Sequence, residues 1–516
     1  AGPADDAVAA AVRACDAEGP LVAAVAKLFP RADGRAFDAF ARVLSGTVRV
    51  GDRLRVLGEG YSADDEEDMA EREVEAAWLY QTRYRTPVDA APAGAWVLLA
   101  GLDASIAKTA TLVAASWAAP AAIFRPPAVV DARPVVKIAV EPLHPAELPR
   151  MLAGLRAVGK SYPQAVARAE ESGEHVVLGT GELYLDCLLH DLREVYGELE
   201  VKVADPVVSF CETVAETSSV KCFAQSPNRR NKLTMIAEPL APGLAAGIEA
   251  GDVALDGPAH AVQAYFEAAG WDVLAARSVW AFGPGARGPN VLLDDTLAAG
   301  VDRAALGAVR PSLVHGFQWG ARQGPLCEEP VRGATFRLLD AAVAGEAVHR
   351  GGGQLIPTAR RVTYSAFLTA TPRLMEPVLL VDLLAPEECI LAVYKVLARR
   401  RGHIAREEPR PGTPLFSVRA YLPAIESFGF ETDLMCHTQG QVHCQSVFDH
   451  WELVPGDPLD ASIQLKPLQP APTPHLARDF LVKTRRRKGL SEDINPKQFF
   501  DEEMRQYFEQ AAAEFA

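Results

Sequence analysis

Residues 176–206 read VVLGTGELYLDCLLHDLREVYGELEVKVADP, and within them the apolar period changes twice. Val176, Val177 and Leu178 make a short apolar run of the kind a buried strand shows. Gly179-Thr180-Gly181 follows as a tight turn, since glycine tolerates the positive φ values such turns often need. Leu185, Leu188, Leu189, Leu192 and Tyr196 then recur at helical spacing, which predicts a helix with one apolar face. Gly197 ends it, and Leu199, Val201 and Val203 alternate with Glu200 and Lys202 as a half-buried strand. A lone glycine pair is a weak phosphate signal, and a strand-to-helix turn accounts for it.

Working outward, residues 135–140 read as a strand, and Leu148, Leu152, Leu155 and Val158 mark a helix. A hairpin around Glu171-Ser172-Gly173 then leads into the opening stretch. Residues 135–206 thus follow the order β-α-β-β-α-β, the split βαβ or ferredoxin-like unit. The order recurs over 376–455, with a strand at 378–384, a helix stripe at Ile390, Val393, Tyr394 and Leu397, a stop at Gly402, and an alternating strand at Phe416, Val418, Ala420 and Leu422. Between the two lies a larger α/β segment, 207–375, with candidate strands KLTMIAEPL, NVLLDDT and VRGATFRLLDAAV and a long helix candidate over 301–323. Residues 15–115 carry short β-runs broken by glycine, which predicts a β-barrel. Residues 1–14 read as a linker or the end of a helix, and the Ala- and Pro-rich 116–134 as a second linker. Residues 456–516 are Pro-rich, then basic, then acidic, which predicts an extended arm ending in a short helix. The expected fold class is multidomain α+β: a barrel, then two ferredoxin-like domains flanking a larger α/β domain.

A chain of 516 residues exceeds what one hydrophobic core serves. A net charge of −15 argues against general polyanion binding but leaves room for a local basic patch. The eight cysteines form no C-x-x-C pair, which fits reduced structural thiols of a cytosolic or nuclear protein. No apolar run is long enough to span a membrane, and the Ala-rich start lacks a signal-peptide layout. The acidic run from Asp64 to Asp68 reads as a solvated loop.

Four stretches invite a chemical reading. Gly154-Leu-Arg-Ala-Val-Gly159-Lys160-Ser161 fits the P-loop pattern. It falls inside a predicted helix, however, where the N–H groups are already bonded and cannot cradle phosphate. Asp16-Ala-Glu-Gly19 and Asn231-Lys232 match guanine-nucleotide motifs only trivially. Cys436-His437 and His443-Cys444 invite a zinc reading, but neighbouring side chains on a strand point apart, so no metal is expected. His349-Arg350-Gly351-Gly352-Gly353-Gln354 predicts an exposed, mobile glycine loop, with Arg360 and Arg361 on the helix that follows. These eight residues are candidate contacts to RNA or a protein partner, or simply a flexible entry to that helix. The last stretch is the concentrated basic run: Lys483, Arg485, Arg486, Arg487 and Lys488. It reads as a helix end whose cations suit a C-terminus, as a nuclear-import address, or as a phosphate-contacting arm. No Ser/His/Asp, Cys/His or paired-carboxylate constellation stands out, so no catalytic residue is expected.

GTGELYLD, with Gly179, Thr180, Gly181 and Glu182, resembles the third-domain signature of elongation factor G and elongation factor 2, in which histidine usually stands in place of Tyr184. FARVLSGTVRVGDRLRVLG resembles the second-domain barrel of translational GTPases, and HRGGGQ the tip of elongation factor 2's fourth domain. Ala344 and Glu346 stand where that pattern has His and Asp, so His349 is expected to carry no diphthamide. HDLREVYGELEVKVADPVVSFCETV and the tail KPLQPAPTPHLARDFLVKTRRRKGLSEDINPKQFF resemble one branch of the family, the elongation-factor-2-like GTPases of the spliceosomal U5 small nuclear ribonucleoprotein. The resemblance runs from about Cys15 to the tail. It implies a nuclear role in pre-mRNA splicing, regulation of helicase-driven unwinding, and partners that include the largest spliceosomal scaffold protein, U5 small nuclear RNA and, indirectly, a spliceosomal RNA helicase. It also implies that GTP and Mg belong to a guanine-nucleotide domain preceding Ala1, with no cofactor held by these residues. A ribosomal elongation factor 2 translocase and a GTPase-less scaffold fragment stay open as alternatives.

Overall fold

The computed structural model describes residues 3–515 except 32–33, 35, 62–66, 117–122, 125–133, 171–172, 198, 242, 256, 298–299, 461 and 463–470; the side chains of 3–7, 259, 497 and 509–515 are also outside the description. Most of the predicted linker 116–134, the tip of the 171–173 hairpin, most of the acidic run and the start of the Pro-rich segment therefore lie outside the described residues. The chain divides into two compact units, Ala1–Val208 with Val378–His450, and Ser209–Pro377 with Trp451–Ala516.

In the first unit, Pro3–Ala14 is a helix and not a linker, with Val8 and Val12 against a small apolar cluster around Val22, Leu57 and Val113. The β-runs of 22–114 form an eight-stranded antiparallel sheet in the order Met69–Glu73, Arg53–Leu57, Ala110–Ala114, Val22–Pro30, Phe37–Ser45, Trp96–Leu99, Ala77–Gln81, Tyr84–Pro87. Strand alternation sends Ala39, Ala41 and Val43 inward, where they meet Leu54, Val56, Val97, Leu99 and Leu112 in one core. The sheet curls around that core, and Thr47–Arg49 with Ala90–Pro92 adds a short ribbon.

The opening stretch forms His175–Gly179, the helix Glu182–Asp191 with a π-helical turn Leu192–Gly197, and Val201–Val203. Its sheet runs Val166–Ala169, His175–Gly179, Val136–Pro142, Val201–Val203, the order of a split βαβ unit. Neither Gly179 nor Gly181 has a positive φ, so the expected reason for the glycines is corrected. Gly179 is required by crowding, since a Cβ there would lie 2.8 Å from the Leu185 side chain. The same sheet order recurs in His403–Pro409, Leu415–Pro423, the part of Pro372–Pro386 from Val378 on, and His443–Leu453. Val393, Leu397, Phe430 and Leu434 cover one face of it.

In the second unit a five-stranded sheet runs Cys222–Gln225, Lys232–Pro239, Ala334–Ala342, Asn290–Asp294, Val279–Gly283. The helices Arg303–Arg322 and Gly352–Leu368 pack together so closely that a Cβ on Gly316 would lie 2.6 Å from Ala359 and from the Ile356 carbonyl. The tail is not an extended arm where it is described. Leu476–Arg487 is a helix with Leu476, Phe480, Leu481 and Val482 buried, and Phe480 stacks on Phe210 at 5.5 Å. Glu502–Phe515 is a second helix, with Met504 and the preceding Phe500 buried.

Candidate functional site

The hairpin between Cys222–Gln225 and Lys232–Pro239 turns at Pro227-Asn228-Arg229-Arg230, with Arg229 at φ 56°. Its two asparagines hold the His349 segment. Asn228 Nδ2 and Asn231 Nδ2 each donate to the His349 carbonyl at 2.9 Å, Asn231 Oδ1 accepts from the Ala344 N–H at 2.9 Å, and Gln354 Oε1 accepts from the Asn228 N–H at 3.2 Å. Asn231 is buried and its amide is fully engaged, so the segment is fixed by a neutral hydrogen-bonded network. His349 Nε2 lies 3.1 Å from Glu346.

This corrects the expected mobile glycine loop. Ala347–Arg350 is a single helical turn, Gly351 is an extended cap, and Gly352 and Gly353 open the helix that runs to Leu368. What the network presents to solvent is Arg229 and Arg230 beside Arg350, with Val348 86% exposed at the same tip. Among the described residues these three arginines make no ion pair. Arg229, Arg230 and Asn228 were absent from the sequence candidates, and Asn231 entered only as a trivial guanine-nucleotide match. The one signal for them was N-R-R-N lying between two β-runs.

Arg360 and Arg361 are turned to internal use. Arg360 lies 4.0 Å over the Trp319 ring and donates to Tyr364 Oη at 3.0 Å. Arg361 pairs with Asp501 at 2.9 Å and also donates to the Gln225 carbonyl. Most of the basic run is likewise engaged. Lys483 pairs with Asp479 and Arg486 with Glu492, at 2.7 and 2.6 Å. Arg485 donates to the Leu326 and Ser491 carbonyls. Lys488 Nζ donates to the Cys327 and Glu328 carbonyls at 2.8 Å and pairs with Glu329 at 2.9 Å. Gly489, at φ 69°, follows the helix as an end cap does. The helix-end reading fits these contacts, and only Arg487 is exposed without a partner among the described residues.

The segment that Arg485 and Lys488 clasp is wrapped around Glu212, a residue that sequence reasoning missed. Fully buried, its carboxylate accepts from the Leu326, Cys327 and Glu329 N–H groups at 2.8, 2.8 and 3.1 Å. Burial pushes its pKa up to about 7, while those N–H groups and Lys488 pull the other way.

In the first unit Gly154–Ser161 lies within the helix Leu148–Ser161, Lys160 donates to the Asp103 carbonyl at 2.7 Å, and Ser161 bonds the Ala157 carbonyl at 3.2 Å, so no phosphate cradle forms. Glu182 accepts from the Gly429 N–H at 2.9 Å, which gives the GTGE signature a bridging role between the two split βαβ domains. Thr180 follows the strand, and Gly181 is the extended cap of the helix. Cys436 and His437 sit on the helix Phe430–Thr438, and His443 and Cys444 on the strand His443–Leu453. No cluster of His, Cys, Asp or Glu among the described residues could hold a metal.

Residues 251–371 match the elongation factor G domain IV family, and residues 373–462 the elongation factor G C-terminus family. With the barrel and the two split βαβ sheets, these matches define the class of the fold as an elongation-factor-G-like arrangement of domains. The chain is 61% identical over 491 residues to the 110 kDa U5 small nuclear ribonucleoprotein component CLO of Arabidopsis thaliana, and 60% identical over 491 residues to the 109 kDa component GFL of the same plant. It is 54% identical over 486 residues to the pre-mRNA-splicing factor cwf10 of Schizosaccharomyces pombe. These alignments cover 94–95% of this chain and 49–50% of each relative, so the chain spans about half their length.

Proposed function

We propose that this chain is the part beyond the guanine-nucleotide domain of an elongation-factor-2-like component of the U5 small nuclear ribonucleoprotein, acting in pre-mRNA splicing in the nucleus. The observation that carries it is the 54–61% identity, across nearly the whole chain, to proteins named as U5 components or as a splicing factor. On this reading GTP and Mg bind in the preceding domain, and nucleotide state there is relayed to a spliceosomal helicase. The chain docks on the largest spliceosomal scaffold protein and meets U5 RNA. The tip formed by Arg229, Arg230, His349 and Arg350 is the contact surface, because its three arginines make no ion pair among the described residues and its backbone is held by the hydrogen bonds of Asn228 and Asn231. Arg360, Arg361, Arg485 and Lys488 act inside the fold instead.

Tagging the parent protein in its own cells and sequencing the RNA that co-purifies at moderate salt tests the assignment. Enrichment of U5 RNA with a very large partner protein is expected, and enrichment of ribosomal RNA would restore the translocase reading. For the tip, the triple variant Arg229→Ala/Arg230→Ala/Arg350→Ala should lose crosslinks to RNA or scaffold that Arg487→Ala retains. His349 is expected to be unmodified, and a diphthamide mass shift on its peptide would overturn that.

A further inference from the structure

The last residues of the chain are built into the base of the hairpin that carries Arg229 and Arg230. Cys222–Gln225 is the edge strand of its sheet, four residues long and paired on one side only, to Lys232–Pro239. An edge strand so short opens at little cost unless something else holds it. The tail supplies that hold. Asp501 Oδ2 accepts from the Gln225 N–H at 2.7 Å, and Glu503 Oε2 accepts from Gln225 Nε2 at 2.8 Å. Arg361, paired with Asp501 at 2.9 Å, donates to the Gln225 carbonyl. Asp501 stands just before the helix Glu502–Phe515, where an aspartate commonly caps its own helix, yet its carboxylate is directed across to Gln225 and Arg361. Apolar contacts seat the segment. Phe500 and Met504 are buried, Phe499 packs edge-on against Tyr364 at 5.2 Å, and Tyr507 lies 6.2 Å from Phe223 of the edge strand. Ser365 Oγ also donates to the Phe499 carbonyl at 3.2 Å.

We infer that Asp501 is a positioning residue for the arginine tip, and that the segment from Phe499 to Met504 is a brace that sets where the tip points. The constraint runs along a continuous set of hydrogen bonds. Gln225 is followed by Ser226, whose N–H donates to the Asn231 carbonyl at 2.8 Å and closes the turn. Asn228 and Asn231 within that turn hold the His349 carbonyl. The helix Gly352–Leu368 closes the circuit: Gln354 in its first turn accepts from the Asn228 N–H, and Arg361 further along meets Asp501. Hydrogen bonds from an N–H and a guanidinium to a carboxylate are of the stronger, charge-assisted kind. The Asp501 side chain is only 20% exposed, so water competes weakly for it. That the tip is a contact surface rests on the function proposed above; that the tail holds the hairpin does not.

Amide hydrogen exchange of the purified parent protein, with crosslinking of the same variants in cells, tests it. In Asp501→Ala, amides of 225–231 and 344–350 should exchange about tenfold faster, while those of 326–329 keep their rates. Crosslinks on the peptides carrying Arg230 and Arg350 should fall roughly threefold or more, because fewer molecules hold the tip in place. Asp501→Asn keeps an acceptor for the Gln225 N–H but loses the ion pair, and should fall between variant and wild type. Glu503→Ala removes only the contact to Gln225 Nε2 and should speed exchange about twofold with the fold intact. Unchanged exchange over 225–231 in both alanine variants overturns the brace. An acceleration over 326–329 as large as at the turn also overturns it, since Asp501 would then only fasten the tail. Faster exchange with tip crosslinks unchanged overturns the positioning role, provided that Arg229→Ala/Arg230→Ala/Arg350→Ala loses them. If that triple variant keeps them too, the contact reading of the tip falls, and the positioning role with it.

Discussion

Arg485 and Lys488 reach carbonyl oxygens of 326–328, while Arg229 and Arg230 stand exposed on a hairpin turn with no ionic partner among the described residues. As sequence, the two basic stretches look alike, and the denser one is the more tempting polyanion site. Their environments separate them. The tail run has buried acceptors within reach: a loop whose N–H groups are turned to Glu212 and whose carbonyls are left facing the tail helix. The hairpin has asparagines, which fix its backbone by neutral hydrogen bonds and leave the charges unspent. Density of charge in sequence therefore says little about availability, and the presence of a buried partner decides it.

Removing the buried partner is the strongest way to break that contrast. Glu212→Ala leaves three N–H donors buried without an acceptor, and each such orphan costs about 1–3 kcal/mol. Denaturant unfolding should show a loss on the order of 3–5 kcal/mol, with the tail becoming protease-sensitive. A loss below about 1 kcal/mol would mean the loop holds itself and the tail only rests on it.

Titration sharpens the same point. Burial raises the folded pKa of Glu212 to about 7 from an ordinary 4.5, so the folded chain binds this proton more tightly than the unfolded one. The stabilisation is fully present below the unfolded value and is lost as pH rises through the folded value, between about 4.5 and 7. The change across that window is on the order of 3 kcal/mol, at about 1.4 kcal/mol per tenfold. Subtracting the stability profile of Glu212→Gln isolates it from the other carboxylates. A difference profile that stays flat across the window would mean that the three N–H groups and Lys488 outweigh burial.

Much of the architecture was legible because it rests on period. The stripe Leu185, Leu188, Leu189 and Leu192 and the twice-repeated β-α-β-β-α-β order are local patterns that packing did not override. The helix Arg303–Arg322 was legible for the same reason. The site was much less so. Asn228 and Asn231 act on residues more than 110 positions away, and Glu212 on residues 114 to 117 away. No window of sequence contains both partners. Gly352 and Gly353 misled for a related reason: glycine is a poor helix former taken alone, but here the turn is propped by Gln354 on Asn228. Gly179 was recognised for the wrong cause, because crowding by Leu185 is a tertiary fact and φ is a local one.

Two neighbours within the basic run give the finest test. Lys488 is mostly buried, and the carboxylate of Glu329 and two carbonyls hold its ammonium charged against the cost of desolvation. Lys488→Met keeps the stem and deletes three polar contacts, leaving Glu329 with a buried charge. The expected loss is about 2–3 kcal/mol, with faster hydrogen exchange over 326–329. Arg487, one residue earlier, is exposed with no partner among the described residues, so Arg487→Ala should move stability by less than about 0.5 kcal/mol. If the two variants behaved alike in stability, the inward clasp would not be what holds the tail. If Arg487→Ala alone weakened RNA association while leaving stability untouched, the run would be serving both roles, split between adjacent side chains by the direction each one faces.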